Sequence, residues 1–304
     1  MTAAIEATIQ LCTYNRARVL ERVLDACFEQ TISGDAYEVV LVDDGSSDET
    51  PAVIARAHAR ATCAFTVVSQ ANAGLAKARN AGIARARGER IIFIDDDVLP
   101  LPNFVAEHLR AAERMPHAVV RGGAIEVAGL DDLPPPVWSL RHYSGNRFWT
   151  TNVSAPLATI RAIGGFDESF TEYGWEDIDV GLRLRARGVP AILHPAALVY
   201  HYKPPLRVGD VERMVRQARA QARTAVRLVR KHPGWRAHLA TGVTKAQRIA
   251  HALLRASGAQ RRAQELLARL APETELRGAA LRAARTLRAL AYYDELERAL
   301  HAAR

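Results

Sequence analysis

The strongest constraint on the fold is an alternation, over the first 130 residues, between short apolar runs and longer amphipathic stretches. Residues 7–12, 38–42, 64–69 and 90–94 are short, rich in β-branched side chains and bounded by polar or Gly-containing loops, the pattern of buried strands. Between them, residues 18–30, 49–61 and 74–86 carry apolar side chains at helical spacing. Strand and helix alternating in this way predict an α/β fold built on a doubly wound, mainly parallel sheet. Such sheets bind ligands outside the carboxyl ends of their strands, so the residues that end each strand come first.

Those ends are polar and acidic. Thr13-Tyr14-Asn15-Arg16 closes the first strand, Asp43-Asp44-Gly45-Ser46-Ser47-Asp48 the second and Asp95-Asp96-Asp97 the fourth. Asp95 and Asp97, two apart on an extended segment, leave one face while Asp96 points elsewhere. Carboxylates placed so, beside a diphosphate, make a site for Mg²⁺ or Mn²⁺ whose remaining positions are filled by substrate phosphates. The other reading is a solvated acidic turn, which gives no reason for three adjacent carboxylates to bear their mutual repulsion.

Beyond residue 118 the pattern is less regular. A strand over 118–127 is followed by Pro134-Pro135-Pro136, an aromatic stretch over 138–149, a short helix near 155–163 and the run Gly164-Gly165-Phe166-Asp167. A further helix starts about Trp175-Glu176-Asp177, and a strand over 197–200 leads into His201. The three cysteines, Cys12, Cys27 and Cys63, share no metal-ligand spacing, and their odd number argues against a disulfide framework. The opening run MTAAIEATIQLC lacks the basic and apolar regions of a secretory signal, and no run approaches the roughly 18–20 apolar residues of a bilayer span. The expectation is a cytoplasmic protein, either free or peripheral at the inner face of the membrane.

The net charge of +8 is unevenly spread. Residues 207–304 hold 21 Lys and Arg against 8 Asp and Glu, whereas residues 1–206 hold 20 against 25. From Val211, Met214, Val215, Ala218, Ala222, Ala225, Val226 and Val229 recur at helical steps, with arginines around much of the remaining circumference. Residues 245–256, 259–270 and 276–300 repeat this composition, predicting a basic helical region. Its arginines are either good helix formers and no more, or a face for an anionic membrane surface, an acidic acceptor or a second subunit. No nucleic acid is expected, because the tail shows no recognisable motif and no aromatic interleaving.

Taken in order, TYNR, VDDGSSDET, NAGLAKARNAGIARARGERIIFIDDD, GGFDESF and GWEDIDVGLRLRARG resemble the family 2 glycosyltransferases of GT-A fold, over about residues 5–203. The resemblance implies a hexosyltransferase-type enzyme using a nucleoside-diphosphate sugar, UDP-sugar by preference, and Mn²⁺ or Mg²⁺, with a hydroxyl acceptor and inversion at the anomeric carbon. It implies that Thr13, Tyr14, Asn15, Arg16 and Asp44 line the base pocket and that Gly74, Arg79 and Asn80 approach the nucleotide and phosphates. Asp95 and Asp96 would touch the ribose or complete the metal shell, Asp97 would be the main metal ligand, and His201 a third. Asp177 would be the catalytic base, with Trp175 and Glu176 positioning the acceptor. The corresponding regions are a GT-A domain over 1–205, split into a nucleotide-sugar half (1–130) and an acceptor half (131–205), and a helical region over 206–304.

Structural roles stay open beside each of these. Asp43 to Ser46 also reads as a turn and helix cap, Arg79 and Asn80 as surface residues of a helix, and Glu176 and Asp177 as acids favoured in a first helical turn. A lone His201 is often structural, and Gly164-Gly165 also reads as a helix cap. The rival functions are a catalytically inactive sugar-nucleotide-binding scaffold and a polyanion binder acting through the basic tail. A sugar-phosphate nucleotidyltransferase would need a Gly-rich phosphate loop where Thr13-Tyr14-Asn15 stands.

Overall fold

The computed structural model describes residues 4–302 and divides them into two compact units. The ends of the two expected regions, residues 1–3 and 303–304, lie outside the described residues. The first unit runs to Thr171 and resumes over Glu176–Pro204; the second comprises Glu172–Trp175 and the chain from Pro205.

In the first unit, β1 (Ala7–Thr13), β2 (Tyr37–Asp43), β3 (Ala64–Ser69) and β4 (Arg90–Phe93) lie in parallel in the order β3-β2-β1-β4. They are joined through α1 (Ala17–Phe28), α2 (Thr50–His58) and α3 (Leu75–Arg85). β2, reading YEVVLVD, is buried at every position, as a central strand covered on both faces must be. The period of two is visible in β4 and the residue after it: Ile92 and Ile94 join one apolar cluster, Ile91 and Phe93 another.

The sheet continues past β4 as β7 (Val153–Pro156), β6 (Val119–Val127), β8 (Ala191–Tyr202) and β5 (Val98–Pro100), giving eight strands. β4 with β7, β7 with β6, and β8 with β5 are antiparallel, while β6 and β8 are parallel. The remaining helices are α4 (Phe104–Arg114), α5 (Leu157–Ala162) and α6 (Glu176–Ala186). β7 takes the first two residues of the segment expected to be helical: Ala155 pairs with Ile91, and the helix begins only after Pro156, whose fixed φ suits an entry position. The three-residue β5 was not foreseen either. It is too short for an apolar period, and it is held by cross-strand pairs such as Val98 with His201.

In the second unit, α7 (Val211–Lys231) packs along α11 (Gly278–Ala302), with Ala222, Ala225 and Val226 of α7 clustering with Leu296 of α11. α8 (Trp235–Thr241), α9 (Lys245–Ala256) and α10 (Ala259–Leu267) complete it. α8 adds a helix that the composition had left unmarked; Gly234 and the left-handed Gly242 bound it. A further cluster of Ala263, Leu267, Leu276, Ala283 and Ala284 ties α10 to α11. Among the described residues, no helix is long and apolar enough to cross a membrane.

Candidate active site

The polar strand ends are stitched together by their own side chains. Asn15 adopts φ +53°, a left-handed conformation that Asn tolerates better than most residues. Its Oδ1 accepts hydrogen bonds from the backbone N–H groups of Ser47 (2.8 Å) and Asp48 (3.3 Å), and its own N–H donates to Ser46 Oγ at 2.9 Å. The first and second strand ends therefore form one surface, on which Tyr14 is half exposed. Thr13 Oγ1 is buried beside the Asp96 carboxyl.

Asp44 is buried, and both its oxygens are engaged. Gln70 Nε2 and the Ala73 N–H donate to Oδ1 at 2.7 and 3.0 Å, and the Gly74 N–H donates to Oδ2 at 3.0 Å. The carboxylate thus fixes the loop that enters α3, where Gly74 takes φ +90°, a conformation open to glycine and strained for other residues.

Asp95 to Asp97 do not continue β4. They form a turn, with the Val98 N–H donating to the Asp95 carbonyl at 3.2 Å, so strand alternation does not govern their side chains. The turn nonetheless brings Asp95 and Asp97 together with His201, their ligand atoms all lying within 4.8 Å of one another. Arg16 spans Asp96 and Asp97, at 3.5 and 3.6 Å, and Lys203 Nζ lies 3.9 Å from Asp97. Burial pushes the Asp96 carboxyl up to about 7 despite Arg16. Burial also opposes ionisation of Asp97, but His201, Lys203 and Arg16 outweigh it and hold that carboxyl below its usual range.

The donor set of Asp95, Asp97 and His201 suits a divalent cation. His201 is buried; its Nε2 lies 3.2 Å from Asp97 Oδ1, and its Nδ1 has no hydrogen-bond partner among the described residues. A buried imidazole beside two carboxylates offers the mixed nitrogen and oxygen donors that a divalent transition-metal cation takes.

Behind this cluster sits Arg79, only 4% exposed. It donates to Glu176 Oε1 at 2.8 Å, Thr150 Oγ1 at 2.7 Å and Asp95 Oδ1 at 3.4 Å, and its guanidinium carbon is 5.1 Å from the centre of the Phe166 ring. Burial rules out the surface alternative for this residue. Asn80, one position on, donates to the Phe166 carbonyl and Glu168 Oε1, each at 2.9 Å, and accepts from the Phe166 N–H at 2.8 Å. It braces the Gly164-Gly165 loop. Gly165, at φ +65°, has no room for a Cβ, which would lie 2.4 Å from Asn80 Oδ1.

Glu176 and Asp177 open α6. Glu176 is buried, with Oε1 on Arg79 and Oε2 without a partner. Asp177 is partly accessible, accepts the Ile178 N–H at 2.7 Å, and is raised to about 7 by burial and by the neighbouring Glu176 charge, with Arg79 opposing. Trp175, at φ +74°, belongs to the second unit, where its indole N–H donates to the Gln221 carbonyl at 2.7 Å. In the aromatic stretch Phe148 is core, whereas the ring of Trp149 lies 6.4 Å from that of His201.

Thr150 and Thr151 were missed from sequence. Both are buried, and Thr151 Oγ1 donates to Asp95 Oδ2 at 2.7 Å. Their only signal is a polar pair directly after the aromatic stretch, which no local periodicity distinguishes from a loop.

The glycosyl transferase family 2 model matches residues 8–164, more than half of the chain, and the protein belongs to that family. A second model, the N-terminal domain of galactosyltransferase, matches residues 139–204. Validoxylamine A glucosyltransferase of Streptomyces hygroscopicus subsp. jinggangensis is 32% identical over 219 residues, covering 60% of this chain and 52% of that protein. The chain thus spans about half the length of the curated relatives it matches. Among solved structures, a mannosyltransferase of Pyrobaculum calidifontis in complex with GDP-Man and Mn²⁺ aligns at TM-score 0.63 and 21% identity, over 97% of this chain and 88% of that one. S. aureus TarS 1-349 with UDP-GlcNAc aligns at TM-score 0.56 and 16% identity, over 98% and 92%. The fold of the chain is that of these GT-A enzymes.

Proposed function

We propose that the protein is a metal-dependent, inverting hexosyltransferase that moves a sugar from a nucleoside diphosphate, UDP by preference, to an acceptor hydroxyl. The observation that carries this reading is the convergence of Asp95, Asp97 and His201, with an imidazole that has no other partner. In the proposed roles Asp97, Asp95 and His201 hold Mn²⁺ or Mg²⁺, and a bound divalent cation supplies neutralising charge for the departing diphosphate. Arg16 and Lys203, both half exposed beside Asp97, add positive charge for the same group. Asp177 accepts the acceptor's hydroxyl proton as the oxygen bonds to the anomeric carbon and the carbon–oxygen bond to the diphosphate breaks. A carboxyl raised to about 7 is well matched to that proton transfer near neutral pH. Attack opposite the leaving group inverts the anomeric centre with no covalent intermediate.

The neighbours' ligands divide between GDP-Man and UDP-GlcNAc, so the donor is tested with a panel of UDP-, GDP- and dTDP-sugars. Slow hydrolysis of one donor with Mn²⁺, lost on chelation, is expected. Tight, Mn²⁺-dependent donor binding with no turnover of any member, even with acceptors supplied, favours the inactive scaffold instead. The basic helical region is proposed to draw the enzyme to an anionic surface, a reading supported by exposed Trp235, Leu239, Ile249 and Leu253 in α8 and α9.

A further inference from the structure

The second unit contains an open-mouthed cavity of about 310 Å³, walled in part by Trp175, Gln221, Gln247, Arg285, Arg288 and Tyr293. Among the described residues no carboxylate lines it. This absence is selective, because the acids of α11 are all in use elsewhere. Asp294 lies 3.2 Å from Arg255, Glu295 pairs with Arg223 and Arg298 at 3.0 and 2.9 Å, and Glu297 accepts two bonds from Arg248. Arg285 has no hydrogen bond or ion pair among the described residues, and Arg288 has one bond, to the neutral Gln221 Oε1 at 3.3 Å. Three positions apart, the two arginines share a helix face, where two uncompensated like charges repel. An anion removes that repulsion, and planar guanidinium forks match the oxygens of phosphate or carboxylate.

The wall also carries aromatic surface. Trp175 is held there at φ +74° after Gly174 at φ +105°, a conformation that is strained for a bulky residue. Its indole nitrogen is tied to the Gln221 carbonyl, and Tyr292 Oη is tied to the Thr241 carbonyl at 2.6 Å. Fixed rings beside polar amides and two guanidiniums that have no ion pair among the described residues form a surface for a hydroxylated ring bearing a negative charge. Trp175 directly precedes Glu176 and Asp177 in the chain.

We infer that this cavity binds an acidic sugar, a sugar phosphate or a uronic acid, as part of the glycosyl acceptor. The acceptor role rests on the proposed transferase reading, while binding itself is tested without donor or metal. Calorimetric titration of the full chain at low salt uses glucose 1-phosphate, glucuronate and, as the neutral control, glucose. At least one anion is expected to bind, and glucose to bind about tenfold or more weakly. Which of the two anions binds tells phosphate from carboxylate. Arg285→Gln/Arg288→Gln is expected to lose about tenfold or more in anion affinity. Gln247→Glu, which keeps both arginines and adds a carboxylate to the wall, is expected to lose affinity in the same direction. Equal affinity for charged and neutral sugars, no binding of any of the three, or anion binding undiminished in both folded variants would overturn the inference. Donor hydrolysis in the same preparation tests the transferase reading separately: hydrolysis without anion binding sinks the cavity alone, and anion binding without hydrolysis sinks the acceptor role.

Discussion

Arg79 and Glu176, 97 residues apart in the chain, meet at 2.8 Å in the interior of the first unit. The same guanidinium reaches Asp95, so one buried cation links the acidic turn after β4 to the start of α6. Removing one partner of such a network strands a buried charge, a larger loss than the net worth of the intact pair. Arg79→Met is therefore expected to destabilise the protein by about 3–5 kcal/mol in urea unfolding. Arg79→Met/Glu176→Met should recover part of that loss, because the stranded carboxylate goes with it. A single-variant cost under about 1 kcal/mol would show that the pair is screened by water and does not link the two segments.

The raised carboxyl of Asp177 makes a pH prediction with a definite sign. Its folded-state value of about 7 lies above the ordinary 3.8, so the folded chain holds a proton that the unfolded chain releases. That stabilising contribution is complete below about pH 4 and is lost as pH rises through about 7. Asp177→Asn should thus lose less stability than the parent between these limits, as measured by denaturant midpoints across pH. The slope will not vanish, because Asp96 is raised to about 7 and contributes in the same direction. In catalysis the rate should rise with pH to a plateau above about 7, and Asp177→Asn should lower turnover about 10²-fold or more with donor affinity nearly intact. Normal turnover in that variant removes Asp177 as the base.

For the cation site, Asp97→Ala and His201→Ala are expected to abolish the Mn²⁺-dependent part of UDP affinity. Each should leave a folded protein whose melting temperature no longer responds to Mn²⁺ with UDP. In the parent, ligand at 100 times its dissociation constant adds about 2.7 kcal/mol. UDP binding that is unchanged by chelation in the parent, or by either substitution, would exclude these ligands.

In the parallel half of the sheet β1, β2 and β4 were legible as short, buried apolar runs, and the less buried β3 as a short run rich in β-branched residues. Leu11 and Leu41, for example, each point into a core whose existence the local pattern already implies. Beyond β4, the strand over 119–127 and the end of β8 were legible too, but β5 and β7 were not. β5 and β7 are three and four residues long, and they are strands only because β8 and β4 offer partners. At the site, the motifs marked Asp95 to Asp97 and Glu176-Asp177, yet their coupling through Arg79, Thr150 and Thr151 depends on long-range packing. Asp44 and Asn80 were noted as candidates for the donor; that both brace loops appears only when their hydrogen bonds are seen.

The basic helical region leads to the last prediction. Several arginines of α7 are partly neutralised within the second unit: Arg213 by Asp210, Arg216 by Glu212, and Arg223 by Glu172 and Glu295. Arg219 and Arg227 have no ion pair among the described residues, so the attraction of α7 alone is weaker than its composition implies. Apolar exposure adds to it. Trp235 and Leu239 on α8, and Ile249 and Leu253 on α9, are each four apart and between 59% and 68% exposed, and Arg236 stacks on Trp235 with its guanidinium carbon 4.3 Å from the ring centre. Exposed apolar stripes beside cations suit an anionic interface, where each nearby Lys or Arg adds up to about 1 kcal/mol. The protein is expected to co-sediment with phosphatidylglycerol vesicles but not with phosphatidylcholine vesicles at low salt. Raising salt from about 0.1 M to about 1 M shortens the screening length from about 10 Å to about 3 Å, so high salt should release most of it. Trp235→Ala/Ile249→Ala should weaken the low-salt association while leaving the melting temperature nearly unchanged, because both side chains already face water. Equal, negligible sedimentation with both vesicle types would discard the membrane-surface reading and leave the helical region as a folding or assembly element.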